Sequence, residues 1–211
     1  MGEPNLNIFR FLKTVYEINT FVESGSGHGT TVSKAIEIFP AVHTVELSDS
    51  LFQEVNKKYG KVAKCYHGKS SDILRTILPP FHAPILYWLD AHWSRDQTAG
   101  KDNQCPLLSE LEEINKRPGN QDFIFIDDAH LFFSPCVLKA PYDVRTWPNI
   151  NQVFEKLNKK ERYNVILSSW RCSKHNHPQG IVFPEDVIIS VPEHAKDKFY
   201  NYLMNIQLEG N

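Results

Sequence analysis

The sequence holds no apolar run near the roughly 18–20 residues that cross a bilayer. Its opening, "MGEPNLNIFRFLK", lacks the apolar core of a signal peptide. A cytoplasmic location is the expectation from both. An excess of charge is missing too: a net −2 and a pI near 6.5 give no basic field for nucleic acid or an anionic membrane. Cysteine is sparse and scattered. Cys65, Cys105, Cys136 and Cys172 form no CxxC pair, so reduced thiols are expected. The segment "CSKHNHP" gathers Cys172, His175 and His177, yet no second ligand group stands at a spacing that zinc sites use. Repeats, low-complexity tracts and linkers are also absent, so residues 1–211 are read as one domain. The 41% apolar and 23% charged content argues against disorder.

What is present is an alternation of short apolar runs with amphipathic stretches, the pattern of βαβ units around a parallel sheet. After a leading helix, "NIFRFLKTVYEI", come strands "NTFVES", "AVHTVELS", "VAKCYHG", "APILYWLDAHW" and "DFIFIDDAH". Helices "TTVSKAIEIF", "DSLFQEVNKKYG", "SSDILRTIL" and "PLLSELEEINKR" separate them. The fourth strand is nearly all apolar up to Asp90, so it is expected at the centre, buried on both faces. Helix "INQVFEKLNKKE", strand "YNVILSS", one or two strands in "GIVFPEDVIISVP" and a closing helix, "HAKDKFYNYLMNIQ", complete the chain. Two irregular stretches, the polar Ser94–Cys105 and the proline- and aromatic-rich Leu131–Pro148, have the length of loops that cover a site.

Behind the first strand stands "FVESGSGHGTT", with Gly25, Gly27 and Gly29 at alternate positions. A strand, a glycine turn and a helix bring bare backbone N–H groups close to a ligand. Glu46 ends the second strand, where an acid can accept hydrogen bonds from ribose hydroxyls. Together these point to a nucleoside-containing cofactor. A dinucleotide fingerprint asks for GxGxxG, and this turn reads ExGxGxG.

That ExGxGxG turn resembles the first motif of class I S-adenosylmethionine-dependent methyltransferases, and the resemblance runs over nearly the whole chain. It implies a Rossmann-like, doubly wound α/β fold: a mostly parallel seven-stranded sheet, helices on both faces and a C-terminal antiparallel hairpin. In that family the acid before the glycines anchors the methionine end of the cofactor through water. "TVELS" is similar to the ribose-binding second motif, "HGKSSDIL" to the third, which borders the adenine, and "YWLDAHW" to the fourth. The cofactor-binding residues so implied are Glu23, Gly25, Ser26, Gly27, Gly29, Thr30, Glu46, Leu47, Ser70, Ser71 and Asp90.

A second constellation lies at the same strand ends: Asp90 after strand four, Asp127 and Asp128 after strand five. Three converging carboxylates repel unless protons or a cation are shared, and a hard divalent ion such as Mg²⁺ resolves the repulsion. This resembles metal-dependent O-methyltransferases of the catechol and macrolide-sugar types, which implies Asp90, Asp127 and Asp128 as metal ligands. The catechol-type enzymes carry a basic lysine shortly after the strand-four aspartate; here the chain has His92 and Trp93. His92 is the substitute base, since imidazole titrates near neutrality, and His130 is the reserve. Without a metal, Asp90 could itself act as base or orient His92. Trp93, Tyr142 and Trp147 either stack on an acceptor or pack the loops.

The reading is a methyltransferase acting on a sugar, polysaccharide or other small hydroxylated acceptor. No nucleic-acid or membrane partner is expected, and a homo-oligomer stays open. Two other classes remain: an NAD-linked oxidoreductase, and a non-catalytic methyltransferase-like binding protein.

Overall fold

The computed structural model describes residues 6–79, 81–94, 100–133, 143–168 and 186–209. Its seven strands form one sheet, β1 (Thr20–Ser24), β2 (Ala41–Glu46), β3 (Lys64–His67), β4 (Ile85–Leu89), β5 (Phe123–Asp127), β6 (Arg162–Ser168) and β7 (Asp186–Pro192). Their spatial order is β3-β2-β1-β4-β5-β7-β6. The first five strands are parallel, while β7 runs antiparallel to both β5 and β6. This is the doubly wound sheet with a C-terminal antiparallel pair that the sequence led us to expect. The helices are α1 (Leu6–Tyr16), α2 (Thr30–Ala35), α3 (Asp49–Tyr59), α4 (Ser70–Ile77), α5 (Leu107–Asn115), α6 (Ile150–Leu157) and α7 (Lys196–Glu209). One expectation was too long: α2 stops at Ala35. The second half of "GIVFPEDVIISVP" supplies β7, and its first half lies outside the described residues.

Strand periodicity divides the core into two layers. On β4, Leu86 and Trp88 face a layer made with α1, α2, α3 and α7, where Phe9, Phe21, Val32, Val55 and Phe199 are buried. Ile85, Tyr87 and Leu89 face the other layer, against Leu74 of α4, Leu111 and Ile114 of α5, and Val153 of α6. With both faces covered, β4 must be apolar at every position, as its sequence is.

Between β1 and β4 the strand order reverses, and in open α/β sheets ligands bind beyond the carboxyl ends at such a point. Gly25 makes the two ends compatible. Its φ is +82°, and a Cβ there would come within 2.2 Å of the Asp90 carbonyl oxygen. Gly29 is needed for a different approach: a Cβ would meet the Tyr59 ring of α3 at 2.6 Å. Cys65 and Cys105 are free thiols, and burial pushes Cys105 up to about 12, which leaves it unreactive. Cys136, Cys172, His175 and His177 lie outside the described residues.

Candidate active site

A cavity of about 780 Å³ opens at the β1/β4 reversal. Its wall includes Gly25 and Gly27 from the glycine turn, Glu46 and Leu47 after β2, Ser70 and Ser71 at the start of α4, and Asp90 with His92 after β4. Gly100, Lys101, Asp102 and Asn103, from the loop that follows, border it as well. So most of the residues singled out in four separate segments meet on one wall. Ser26, Gly29 and Thr30 stand beside that wall rather than on it.

Glu46 is fixed by the turn it faces. Its Oε2 accepts a hydrogen bond from the Gly27 N–H (2.9 Å), and its Oε1 accepts one from the Ser48 N–H (2.8 Å). A carboxylate has about four lone-pair sites, so two remain to receive hydroxyl donors. Glu23 is placed differently from Glu46. It is 1% exposed, does not border the cavity, and accepts a bond from Thr44 Oγ1 at 2.5 Å. Burial raises its pKa to about 8, against the Thr44 and Thr31 hydroxyls, which favour the anion.

At the other end of the cavity His92 bridges two acids. Its Nδ1 lies 3.2 Å from Asp90 Oδ1 and its Nε2 lies 3.2 Å from Asp128 Oδ2. Burial works against its cation, but the hydrogen bond to Asp128 and the charges of Asp90 and Asp128 outweigh it, so the pKa is raised. For Asp90, burial dominates and the pKa lies well above the usual carboxylate range even with His92 alongside. Asp128 goes the other way: burial would raise it, and the His92 bond and charge bring it below its ordinary value. With both nitrogens facing carboxylates, the surroundings of His92 favour its cation, which suits a counter-charge better than a waiting base.

The two adjacent aspartates diverge because Asp128 takes a left-handed conformation, φ +54°, which aspartate tolerates better than most residues. Asp128 thereby reaches His92 from the start of the 3-10 turn Ala129–Phe132. Asp127 is 1% exposed and borders a separate small void under His92. Asp90, His92 and Asp128 each offer one ligand atom, and these atoms all lie within 4.8 Å of one another. Asp127 is not in that group, and His92 is.

His130 does not border the cavity; its Nδ1 lies 2.8 Å from Asp186 Oδ1. Burial opposes its cation, yet the Asp186 bond raises the pKa. The loops are tied by Gln104, whose Oε1 accepts from Trp147 Nε1 (3.1 Å) and the Asp143 N–H (2.7 Å). Trp93 and Trp147 are each 8% exposed, and Trp147 packs near His92 with ring centres 5.6 Å apart. Tyr142 lies outside the described residues. Sequence reasoning missed Gln104, Asp186 and Glu110, a buried acid on α5.

No protein-family model matches this sequence, and no curated protein matches it either. Solved structures do. The O-methyltransferase TomG from Streptomyces achromogenes, involved in tomaymycin synthesis and in complex with S-adenosylmethionine, superposes with a TM-score of 0.61. Identity is 13%, over 89% of this chain and 78% of that one. This chain has a methyltransferase fold. An O-methyltransferase from Bacillus cereus in complex with S-adenosylhomocysteine gives 0.61 at 14% identity, over 89% and 80% of the two chains. A Podospora anserina methyltransferase bound to S-adenosylhomocysteine gives 0.53 at 16%, over 89% and 77%. At such identities the likeness speaks for the fold.

Proposed function

We propose that the protein is an S-adenosylmethionine-dependent methyltransferase that methylates a hydroxyl oxygen of a small acceptor, a sugar or glycan before a phenol. The observation that carries this is the shared wall: Gly27, Glu46, Ser70 and Ser71 beside Asp90 and His92, in this fold and at its strand reversal. The Gly27 N–H is already given to Glu46, so the turn presents an acid where a diphosphate would need a donor. That favours a sulfonium cofactor with ribose hydroxyls over a dinucleotide. In the reaction an acceptor oxygen forms a bond to the methyl carbon as the sulfur–carbon bond breaks, leaving S-adenosylhomocysteine. Asp90 borders the cavity, has a raised pKa and takes the hydroxyl proton, while His92 and Asp128 balance the charge.

With the His92 imidazole neutral, the Asp90, His92 and Asp128 side chains would also fit a divalent cation, which would then replace the imidazolium as the counter-charge of the two acids. Each side chain offers one ligand atom, and these lie within 4.8 Å of one another. A nitrogen donor leans the set from Mg²⁺, expected of carboxylates alone, toward Mn²⁺ or Fe²⁺. Such an ion would orient vicinal acceptor oxygens and lower their pKa. The test is calorimetry. S-adenosylhomocysteine should bind the wild-type protein and fail to bind Gly27→Val, while NAD should bind neither. Binding of NAD in preference would replace this reading with that of an oxidoreductase.

A further inference from the structure

On α5 the residues Leu107, Leu111 and Ile114 form the stripe that packs on the sheet, and all three are buried. Glu110 shares that stripe, at the i+3 position, and is 1% exposed. A carboxyl on the apolar face of a helix is costly unless it is satisfied. Its Oε1 nevertheless has no hydrogen-bond partner, and neither has the hydroxyl of Ser24 or of Ser70. These three buried oxygens come from three elements: Ser24 ends β1, Ser70 begins α4, and Glu110 sits mid-α5. They belong together. Burial raises the Glu110 pKa, and the Ser70 and Ser24 hydroxyls are near enough to oppose the shift without closing well-formed bonds. Ser70 is on the cavity wall, and Glu110 borders the void of about 10 Å³ that reaches under His92, room for one water.

We propose that Glu110 is a positioning residue: through the Ser70 and Ser24 hydroxyls it holds the first turn of α4 and the end of β1 against the bound cofactor. This rests on the methyltransferase reading. A neutral carboxyl can donate to one hydroxyl and accept from the other, which joins the two elements behind the cofactor wall. Glutamine offers the same donor and acceptor at the same reach. Alanine offers neither and removes the one group near enough to join the two hydroxyls when the cofactor binds.

The experiment is titration of S-adenosylhomocysteine into wild type, Glu110→Gln, Glu110→Ala, Ser70→Ala and the double alanine variant, with thermal unfolding of each. Glu110→Gln should bind within about threefold of wild type, and Glu110→Ala about tenfold more weakly. The double variant should be no weaker than the worse single, because both act through one link. Glu110→Ala binding like wild type while melting lower would make Glu110 merely structural and overturn the proposal. So would Glu110→Gln as weak as Glu110→Ala. If Glu110→Ala does not fold, an unchanged affinity in Ser70→Ala overturns it alone. Failure of the wild type to bind would instead remove the functional reading on which the proposal stands.

Discussion

The two ends of this sheet bury charge in opposite ways. At the amino ends of β4 and β5, Arg117 and Asp122 form a two-pronged pair, Nε to Oδ2 at 2.8 Å and Nη2 to Oδ1 at 3.2 Å. Arg117 also donates to the carbonyls of Phe81 (2.7 Å) and Ala83 (2.9 Å), and Asp122 accepts from the Ile85 N–H (3.1 Å). Arg162, whose pKa burial lowers to about 10, donates to Ser190 Oγ, Asn120 Oδ1 and the Asp122 carbonyl. The Arg117–Asp122 pair is matched charge to charge, and Arg162 is hydrogen-bonded to neutral acceptors on all sides. At the carboxyl ends Asp90 and Asp128 flank His92, Glu23 and Glu110 are buried at the same edge of the sheet, and three of those four acids have raised pKa values. A matched buried charge serves the fold; buried acids poised to change protonation serve a ligand.

The sharpest way to break this contrast is to cut the matched end. Arg117→Ala should cost about 3–5 kcal/mol, read by urea denaturation, because it strands Asp122 in the core. At the carboxyl end Asp90→Asn should leave stability equal or higher, since it removes a carboxylate that burial disfavours. Turnover should drop there by about 10²–10⁴-fold, in a methyl-transfer assay, as for loss of a general base. Equal destabilisation by the two substitutions would erase the distinction.

Glu23 sharpens it through pH. Its folded pKa of about 8 exceeds the ordinary 4.5, so between those values the folded chain keeps a proton that the unfolded chain has lost. Stability should therefore fall as pH rises through that window, by up to roughly 5 kcal/mol, and level off above it. Glu23→Gln should flatten the profile in denaturation curves taken from pH 5 to 9. The smallest effect belongs to the loops: Trp147→Phe, which loses the bond to Gln104, should cost about 1 kcal/mol in the same assay.

Much of this molecule can be read from its sequence because strand ends carry information. Apolar runs such as "PILYWLD" and "FIFID" end in acids, and an acid that ends a buried strand emerges where ligands bind. What the glycines do is less legible. Gly25 clears the Asp90 backbone and Gly29 clears the Tyr59 ring, contacts between segments far apart in the chain. Nor could the sequence tell which aspartate of the pair turns toward His92, since that follows from the left-handed backbone at Asp128. Glu110 did leave a signal: an acid on the helical stripe Leu107, Leu111, Ile114, hidden among the neighbouring acids Glu112 and Glu113 of "SELEEINKR". Among the described residues no helix is long and apolar enough to cross a membrane.

One measurement tests the division of labour most directly: the shift in melting temperature on adding S-adenosylhomocysteine to Arg117→Ala and to Glu46→Ala. The account predicts that Arg117→Ala melts well below wild type but keeps the ligand-induced rise. Glu46→Ala should melt close to wild type, because water in the cavity can replace the acceptor of Gly27 and Ser48, and should lose most of the rise. A full rise in Glu46→Ala, or none in the wild type, would contradict it.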